Sequence, residues 1–379
     1  MIHTFTIRFR QLFRNLRCGS LAAGADALPR FIGRCRVLAA VCLLNSLSGW
    51  ATVQARDAKT TSVPQAINLG LSFLARNAVA WKEEHNCSSC HHAALVVWSM
   101  NEAKLHRYAV DEAVLADMTR WLTEAGAGKF NYERPAAAPK ALNPKAIYYS
   151  LGLNSVPGLN SVQREARSRL LDTVKADQTE NGSWSAWPDT RPPILSHSDE
   201  TMTALACLAL LPSANSGDGT ARAAVDKAVK WLKATDSDND PQSVALRLVL
   251  WTRLGRPQTE WAPLARLIQK RQNRNGGWSQ TAGGPSDAWA TGQALYALSQ
   301  SGLSVTDPLI QRGRAFLVKT QRKDGSWPMT SRPTKPGGAG SESLIPIIGG
   351  GSAWAVLGFA SSEKVAAAGV SAAKPSSSR

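Results

Sequence analysis

Three segments of the chain follow one template, and this repeat constrains the fold more than any other feature of the sequence. The template is Gln, three residues, Gly, one residue and Trp, and it occurs as QTENGSW, QNRNGGW and QRKDGSW. Its members are Gln178, Gly182 and Trp184; Gln272, Gly276 and Trp278; and Gln321, Gly325 and Trp327. Each glycine follows Asn or Asp, and such pairs end helices because glycine adopts the left-handed conformation without a Cβ clash.

The segments belong to a longer helical period. Comparable apolar positions near the ends of six helices are Leu74, Leu122, Val174, Leu232, Ile268 and Leu317. Their mean spacing of about 49 residues indicates stacked helical hairpins, none of which can bury its apolar face alone. The second helix of each hairpin is predicted to begin near His91, Pro144, Ser198, Asp240, Ser286 and Gly350.

The three segments resemble the QW motifs of the squalene-hopene cyclase, terpene cyclase and prenyltransferase α/α-toroid repeat family, over roughly Val63 to Ser361. The resemblance implies an all-α, single-domain (α/α)6 toroid with an inner and an outer layer of helices. It also implies that Gln caps a neighbouring helix end and that Trp stacks against it. The inner helices of such a toroid run in one direction, so their N-termini, which favour anions, gather at one mouth.

The resemblance also implies a candidate acid. Cyclases of this family protonate an alkene with the middle aspartate of a DxDDTA motif at the start of an inner helix. HSDETM occupies that place, with Asp199 at the middle position and His197, its implied partner, at the first. The segment departs from the motif at His197, Glu200 and Met202, and the chain supplies one toroid where squalene-type cyclases resemble two. An acid of this strength needs a hydrogen-bond network in a dry cavity.

A second group of reactive residues lies in NCSSCHH. C-x-x-C-H is the attachment signature of c-type haem, with Cys87 and Cys90 as the thioether positions and His91 as the proximal ligand. A disulfide between the two cysteines and a partial zinc site with histidine are the alternatives. The motif opens the first inner helix, so it is predicted to share a mouth with Asp199.

The N-terminus reads as an export signal. Residues 1–55 carry seven arginines against one acid, and the apolar stretch Val37 to Leu44 precedes Val53-Gln54-Ala55. This pattern predicts a signal peptide cut after Ala55, with an uncleaved anchor as the alternative. The predicted organisation is therefore a leader at 1–55, a toroid at 56–362 and a disordered tail at 363–379. The protein is expected to be periplasmic or secreted.

Two further segments and several aromatic residues bear on the mouth. The irregular stretches Pro328 to Gly349 and Ser185 to His197 are predicted to be flaps over the opening. Aromatic residues of the inner helices, including Trp98, Trp289, Tyr296 and Trp354, either face the pore and hold a ligand or pack the two layers together.

The whole chain has a net charge of +16. Outside the leader its charged residues are scattered and not clustered, which argues against nucleic-acid binding. The sequence therefore predicts an exported toroid that binds or transforms an isoprenoid or other hydrophobic ligand or lipid in a central cavity. If it is an enzyme, it is predicted to resemble a terpene cyclase or isomerase, with a membrane surface as a further contact. The alternatives are a redox or sensor protein carrying covalent haem c, and an interaction scaffold without catalysis.

Overall fold

The structure is a computed structural model that describes residues 61–85, 90–126, 144–185, 192–194, 198–235, 240–332 and 344–363. For Cys90 and His91 only the backbone is described. The predicted leader, Cys87, His197 and the tail beyond Glu363 lie outside these residues. Glu363 itself, placed in the tail by the sequence, pairs with Arg314. All described residues belong to one compact unit, Lys59–Arg379.

Twelve α-helices alternate between two layers in the described residues. The outer helices are α1 (Val63–His85), α3 (Glu112–Gly126), α5 (Ser161–Ala176), α7 (Gly219–Ala234), α9 (Gln258–Lys270) and α11 (Pro308–Thr320). The inner helices are α2 (Leu95–Leu105), α4 (Pro144–Asn154), α6 (Asp199–Asn215), α8 (Pro241–Arg253), α10 (Ala288–Gln300) and α12 (Ile345–Ser361). A π-helical turn, Cys90–Ala94, leads into α2. The strands β1 (Trp278–Ser279) and β2 (Ser286–Asp287) pair antiparallel, Trp278 opposite Asp287.

The predicted helix starts agree with these bounds except at the last hairpin. The sequence placed that inner helix near Gly350, whereas α12 begins at Ile345 with Pro346 in its first turn. Proline favours this position because its missing N–H would have no intrahelical partner there and its φ is already helical. The run of three glycines that follows therefore lies inside the helix.

The composition of the helices explains their layers. In α10 every residue from Ala288 to Leu298 is buried, and α12 is buried from Gly349 to Ala360. The outer helix α9 buries only Ala265 and Ile268. A helix that is apolar all round needs neighbours on every side, whereas an amphipathic helix needs them on one.

The inner helices close into a ring. Each packs against the next from α2 to α12, and α12 packs in turn against α2. The predicted (α/α)6 toroid is therefore confirmed, and an open helical stack is not what this chain forms. No helix in the described ranges is both long enough and apolar enough to cross a bilayer.

The three QW motifs make the same hydrogen bonds and fasten the outer layer. In each, the Gln Nε2 donates to a carbonyl in the first two turns of the next outer helix: Gln178 to Ala224 (2.8 Å), Gln272 to Leu309 (2.8 Å) and Gln321 to Ala66 (2.9 Å). Each indole Nε1 donates to the end of the preceding outer helix: Trp184 to Val174 (2.7 Å), Trp278 to Ile268 (2.7 Å) and Trp327 to Leu317 (2.8 Å). The third motif joins α11 to α1, which closes the outer ring.

Four aromatic side chains fill the interior between α2, α10 and α12. The ring centroid of Trp354 lies 5.3 Å from Trp98, 5.9 Å from Tyr296 and 6.0 Å from Trp289. Trp98 and Tyr296 meet edge to face at 5.7 Å. All four are buried and pack against one another within the inner layer, and Trp289 also borders a pocket described below.

Candidate functional site at the toroid mouth

The starts of neighbouring inner helices contact each other, which places them at one end of the ring. Ser198, the N-cap of α6, lies 3.0 Å from Ser243 of α8 (Oγ to Oγ), and Thr201 Oγ1 lies 2.7 Å from the same hydroxyl. Asp240 caps α8 by accepting from Ser243 N at 3.0 Å. Asp240 is therefore the N-cap of α8. We call this end of the toroid the mouth.

The predicted acid, Asp199, lies at the mouth but its side chain is exposed to solvent. The buried carboxyl group at the start of α6 is that of the next residue, Glu200. Asp199 therefore lacks the dry surroundings that protonation of an alkene requires. Its role as the acid stays a prediction, as does that of His197, which lies outside the described residues.

Glu200 forms a buried ion pair that sequence reasoning missed. Its Oε2 lies 3.6 Å from Nη1 of Arg247, on the neighbouring helix α8. Arg247 Nη2 also donates to Leu232 O at 2.9 Å, and the guanidinium lies 5.6 Å from the Trp251 ring centroid. The one signal in the sequence is a lone arginine in the apolar stretch SVALRLVLW, because a charge there needs a buried partner.

Asp287 is the second buried carboxyl group of the mouth. Its Oδ1 accepts from Ala290 N at 2.9 Å, so Asp287 is the N-cap of α10. Its Oδ2 accepts from Gln280 Nε2 at 2.7 Å. Burial raises the pKa of Asp287 to about 6, although these bonds and the nearby Arg332 favour its charged form. A capping role was predictable from the sequence, but burial was not.

The pKa of Asp287 predicts a pH dependence of stability that Asp287→Asn should remove. The folded pKa lies above the unfolded one, so the folded state holds the proton more tightly. The wild-type free energy of unfolding should therefore fall between about pH 4 and pH 6, by about 1–3 kcal/mol, and change little from this group above that range. Asparagine keeps the capping oxygen. Urea unfolding at pH 4.5 and pH 8 tests this: the variant should gain stability only at pH 8, and an equal effect at both pH values would refute it.

Arg332 links the carboxylates of the mouth. Its Nη2 lies 3.7 Å from Asp240 Oδ1, and it attracts Asp287 as well. Burial lowers the pKa of Arg332, opposed by these two acids. Burial likewise lowers the pKa of Arg271, again opposed by Asp240. Two arginines and two acids therefore share one partly desolvated region.

In the predicted flap Ser185 to His197, the described residues 192–194 are hydrogen-bonded to two inner helices at the mouth. Tyr148 of α4 donates its hydroxyl to Ile194 O at 2.6 Å, and Gln242 of α8 donates to Pro193 O at 3.3 Å. Ile194 is buried. Of the predicted flap Pro328 to Gly349, residues 333–343 lie outside the described residues, while Met329 is buried beside α12.

A pocket of about 260 Å³ lies at the mouth end between α8 and α10. Its apolar lining includes Pro241, Ala245, Ile268, Trp278, Ala282, Trp289, Ala290 and Ala294. Four glutamines also line it, Gln242, Gln272, Gln280 and Gln293, and two cations, Lys270 and Arg271, contribute from the end of α9. We call this space the α8–α10 pocket.

The C-x-x-C-H motif is only partly described. Cys87 is outside the described residues, and Cys90 and His91 are seen as backbone of the π-helical turn. The next residue, His92, is buried and stacks on Trp81 at 4.2 Å, with His85 on Trp81 at 3.7 Å. Burial, with a smaller effect of His85, lowers the pKa of His92 to about 3. Within the described ranges no three His, Cys, Asp or Glu side chains form a metal site.

Comparisons with known proteins agree with the architecture. Residues 235–321 match the squalene-hopene cyclase N-terminal domain, and residues 127–248 match the prenyltransferase alpha-alpha toroid domain. The search of curated proteins gives no match.

Solved structures show the same likeness of fold. A polysaccharide lyase aligns with TM-score 0.50 and 11% identity, over 78% of this chain and 97% of that chain. The type II terpene cyclase MstE from Scytonema (apo) aligns at 0.49 and 14%, over 79% and 97%. A variant of MstE with geranylgeranyl dihydroxybenzoate aligns at 0.48 and 14%, over 78% and 98%. At 11% identity the lyase shows the fold alone, and the two cyclase structures add no argument.

The helices, the closed ring and the family matches thus agree: between residues 127 and 321 the chain is similar to the squalene-hopene cyclase N-terminal domain and the prenyltransferase alpha-alpha toroid domain.

Proposed function

We propose that the protein is an exported toroid that binds an isoprenoid-like hydrophobic ligand at its mouth. The observation that carries the proposal is the α8–α10 pocket, whose wall is formed by two indole rings and by alanines. Ala245, Ala290 and Ala294 leave space where larger side chains would meet. Small-molecule sites are concave and mostly apolar, with a few polar groups, and this pocket has that composition.

The size of the pocket limits what it holds. At about 260 Å³ it lies just below the range of roughly 300–1,000 Å³ for drug-sized ligands. It therefore accommodates one end of a long isoprenoid, or a short isoprenoid whole. The remainder of a longer ligand would extend towards the mouth.

Blocking the entrance tests the binding function. Ala282 lines the pocket from an exposed loop, so Ala282→Trp should fill the entrance without disturbing the buried core. Calorimetric titration with farnesol should show affinity reduced at least about tenfold, the loss of about 1.4 kcal/mol of contacts. Ala223→Trp, on the exposed face of α7, is the matched control and should bind like the wild type. Equal binding by both variants would contradict the proposal.

Acid-initiated cyclisation is the finer part of the proposal, with Asp199 as the acid and His197 as its partner. Because Asp199 is exposed, Asp199→Asn is expected to leave ligand binding intact. Loss of cyclised products from polyprenes with binding retained would identify the acid. Unchanged products would exclude Asp199, and Asp287→Asn would then test the carboxyl group that burial keeps protonated at mildly acidic pH.

Covalent haem c is a second candidate function, favoured by the position of C-x-x-C-H. Cys90 begins the π-helical turn that opens the first inner helix, and such turns are frequent at functional sites. Protein made in a haem-maturing host should show haem absorption and carry the mass of haem. Cys87→Ser/Cys90→Ser should lose both, while Cys207→Ser, at the buried cysteine of α6, should keep them. A spectrum without haem bands would end this candidate.

A further inference from the structure

We propose that the ligand of the α8–α10 pocket carries a single negative charge, as in an isoprenoid or fatty carboxylate, and that Lys270 and Arg271 hold its head group. The inference rests on the proposed function, because it concerns the same pocket. It adds the chemistry of the head group, which neither the fold nor the apolar wall specifies.

The lining of the α8–α10 pocket is asymmetric in charge. Two cations, Lys270 and Arg271, line the pocket, and no carboxylate of the described residues does. Lys270 is exposed and Arg271 half-buried, so both charges lie at the entrance while the indole and alanine wall lies behind them. An entrance of positive charge before an apolar wall suits an amphiphile that enters tail first.

The two lining cations and the charged groups that interact with Arg271, directly or through Arg332, leave a small positive surplus. Lys270, Arg271 and Arg332 contribute three positive charges, and Asp240 and Asp287 contribute at most two negative ones. Arg271 is partly neutralised by Asp240, which also pairs with Arg332. The surplus is about one positive charge when both acids are ionised. A monoanionic head group balances it, whereas a multiply charged head group would remain partly unpaired in a desolvated region.

The three QW motifs differ at the residue that precedes the motif glutamine. The position immediately before the motif glutamine is Asp177 in the first motif, Arg271 in the second and Thr320 in the third. The residue at this position therefore has no fixed role in the Gln and Trp hydrogen bonds by which each QW motif joins the outer helices. The arginine occurs in the repeat that contains the pocket, and the hydrogen bonds of the QW motif do not require it.

Matched ligands test the proposal by calorimetry at about pH 8, where a carboxylic acid is ionised. Farnesoic acid and farnesol differ only in the head group, and acetate supplies the head group alone. Farnesoic acid should bind about tenfold more tightly than farnesol at low salt. The ratio of the two affinities, farnesoic acid to farnesol, should approach one at about 0.5 M salt, where the electrostatic screening length is short. Acetate should bind far more weakly than farnesoic acid.

Variants locate the effect. Lys270→Gln/Arg271→Gln should bring the two affinities together by weakening farnesoic acid alone. Lys270→Gln by itself should show about half of the effect on a logarithmic scale. Because Lys270 is exposed, its replacement should not disturb the fold. Lys319→Gln/Lys323→Gln removes two exposed cations from the corresponding turn of the next repeat and should leave the ratio unchanged.

The outcomes separate the two proposals. Equal affinities for farnesol and farnesoic acid in the wild type would overturn the head-group inference and leave the proposed function standing. An equal loss in the Lys319→Gln/Lys323→Gln control would overturn it too, because the preference would then come from the general basic field. If neither isoprenoid binds, the proposed function fails, and this inference fails with it.

Discussion

Replacing Gly325 with alanine is expected to destabilise the protein by about 3–5 kcal/mol, because two separate costs combine at this residue. Gly325 has φ +91°, a conformation that strains a residue with a Cβ. A Cβ there would also lie 2.7 Å from Leu69 C and overlap the carbonyl oxygen of that residue. The backbone of α1 would have to move, although Gln321 binds this turn and α1 together.

A matched glycine separates the two costs. Gly302 has φ +90°, but no atom lies within 4 Å of the place where its Cβ would be. Gly302→Ala should therefore cost only the strain, about 1 kcal/mol. Urea unfolding should show a difference of at least about 2 kcal/mol in the free energy of unfolding between the two variants. This difference comes from the clash with Leu69 and from the weakened hydrogen bonds of Gln321. Equal effects would show that the closure between the last and first repeats contributes little to stability.

Replacing Gly292 with alanine is expected to cost about 3 kcal/mol or more, although alanine favours helices. Gly292 lies within α10 where α12 comes closest, and a Cβ would lie 2.8 Å from Ala355 N and overlap the backbone of Trp354. Gly358 of α12 faces the same contact. Two inner helices in such close contact cannot separate without disturbing the aromatic cluster around Trp354.

The control is a helical glycine in open space. Gly219 begins α7, and a Cβ there would meet no atom within 4 Å. Gly219→Ala should be neutral or stabilising by up to about 1 kcal/mol, because alanine loses less backbone entropy on folding. Thermal unfolding of both variants, with near-UV circular dichroism of the tryptophans, would measure the contrast. A stable Gly292→Ala variant with an unchanged spectrum would refute the close contact.

The repeat, the alternation of helices and the motif turns were predictable from the sequence. Gln321, Gly325 and Trp327 repeat the chemistry of the first two motifs, and identical local chemistry at a regular period forces identical hairpins. The caps were also predictable, as at Asp240 and Asp287, because a capping carboxylate acts on backbone groups only two or three residues away.

The candidate site was less predictable, because burial depends on neighbours distant in sequence. The sequence favoured Asp199, whereas the structure exposes Asp199 and buries Glu200 beside Arg247. A register difference of one residue on a helix turns the side chain by about 100°, which a motif with three substitutions does not resolve. The pocket was missed for a similar reason, since its wall joins α8, α9 and α10.

The sequence by itself determined the twelve-helix order and the places where each helix turns, because these depend on periodicity and on glycine chemistry within a few residues. Only the tertiary structure decided that the ring closes, through the bond from Gln321 to Ala66 and the packing of α12 on α2. Only the tertiary structure, too, decided which carboxyl groups of the mouth are dry. Desolvation is set by all the atoms around a group, and most of those atoms come from other repeats.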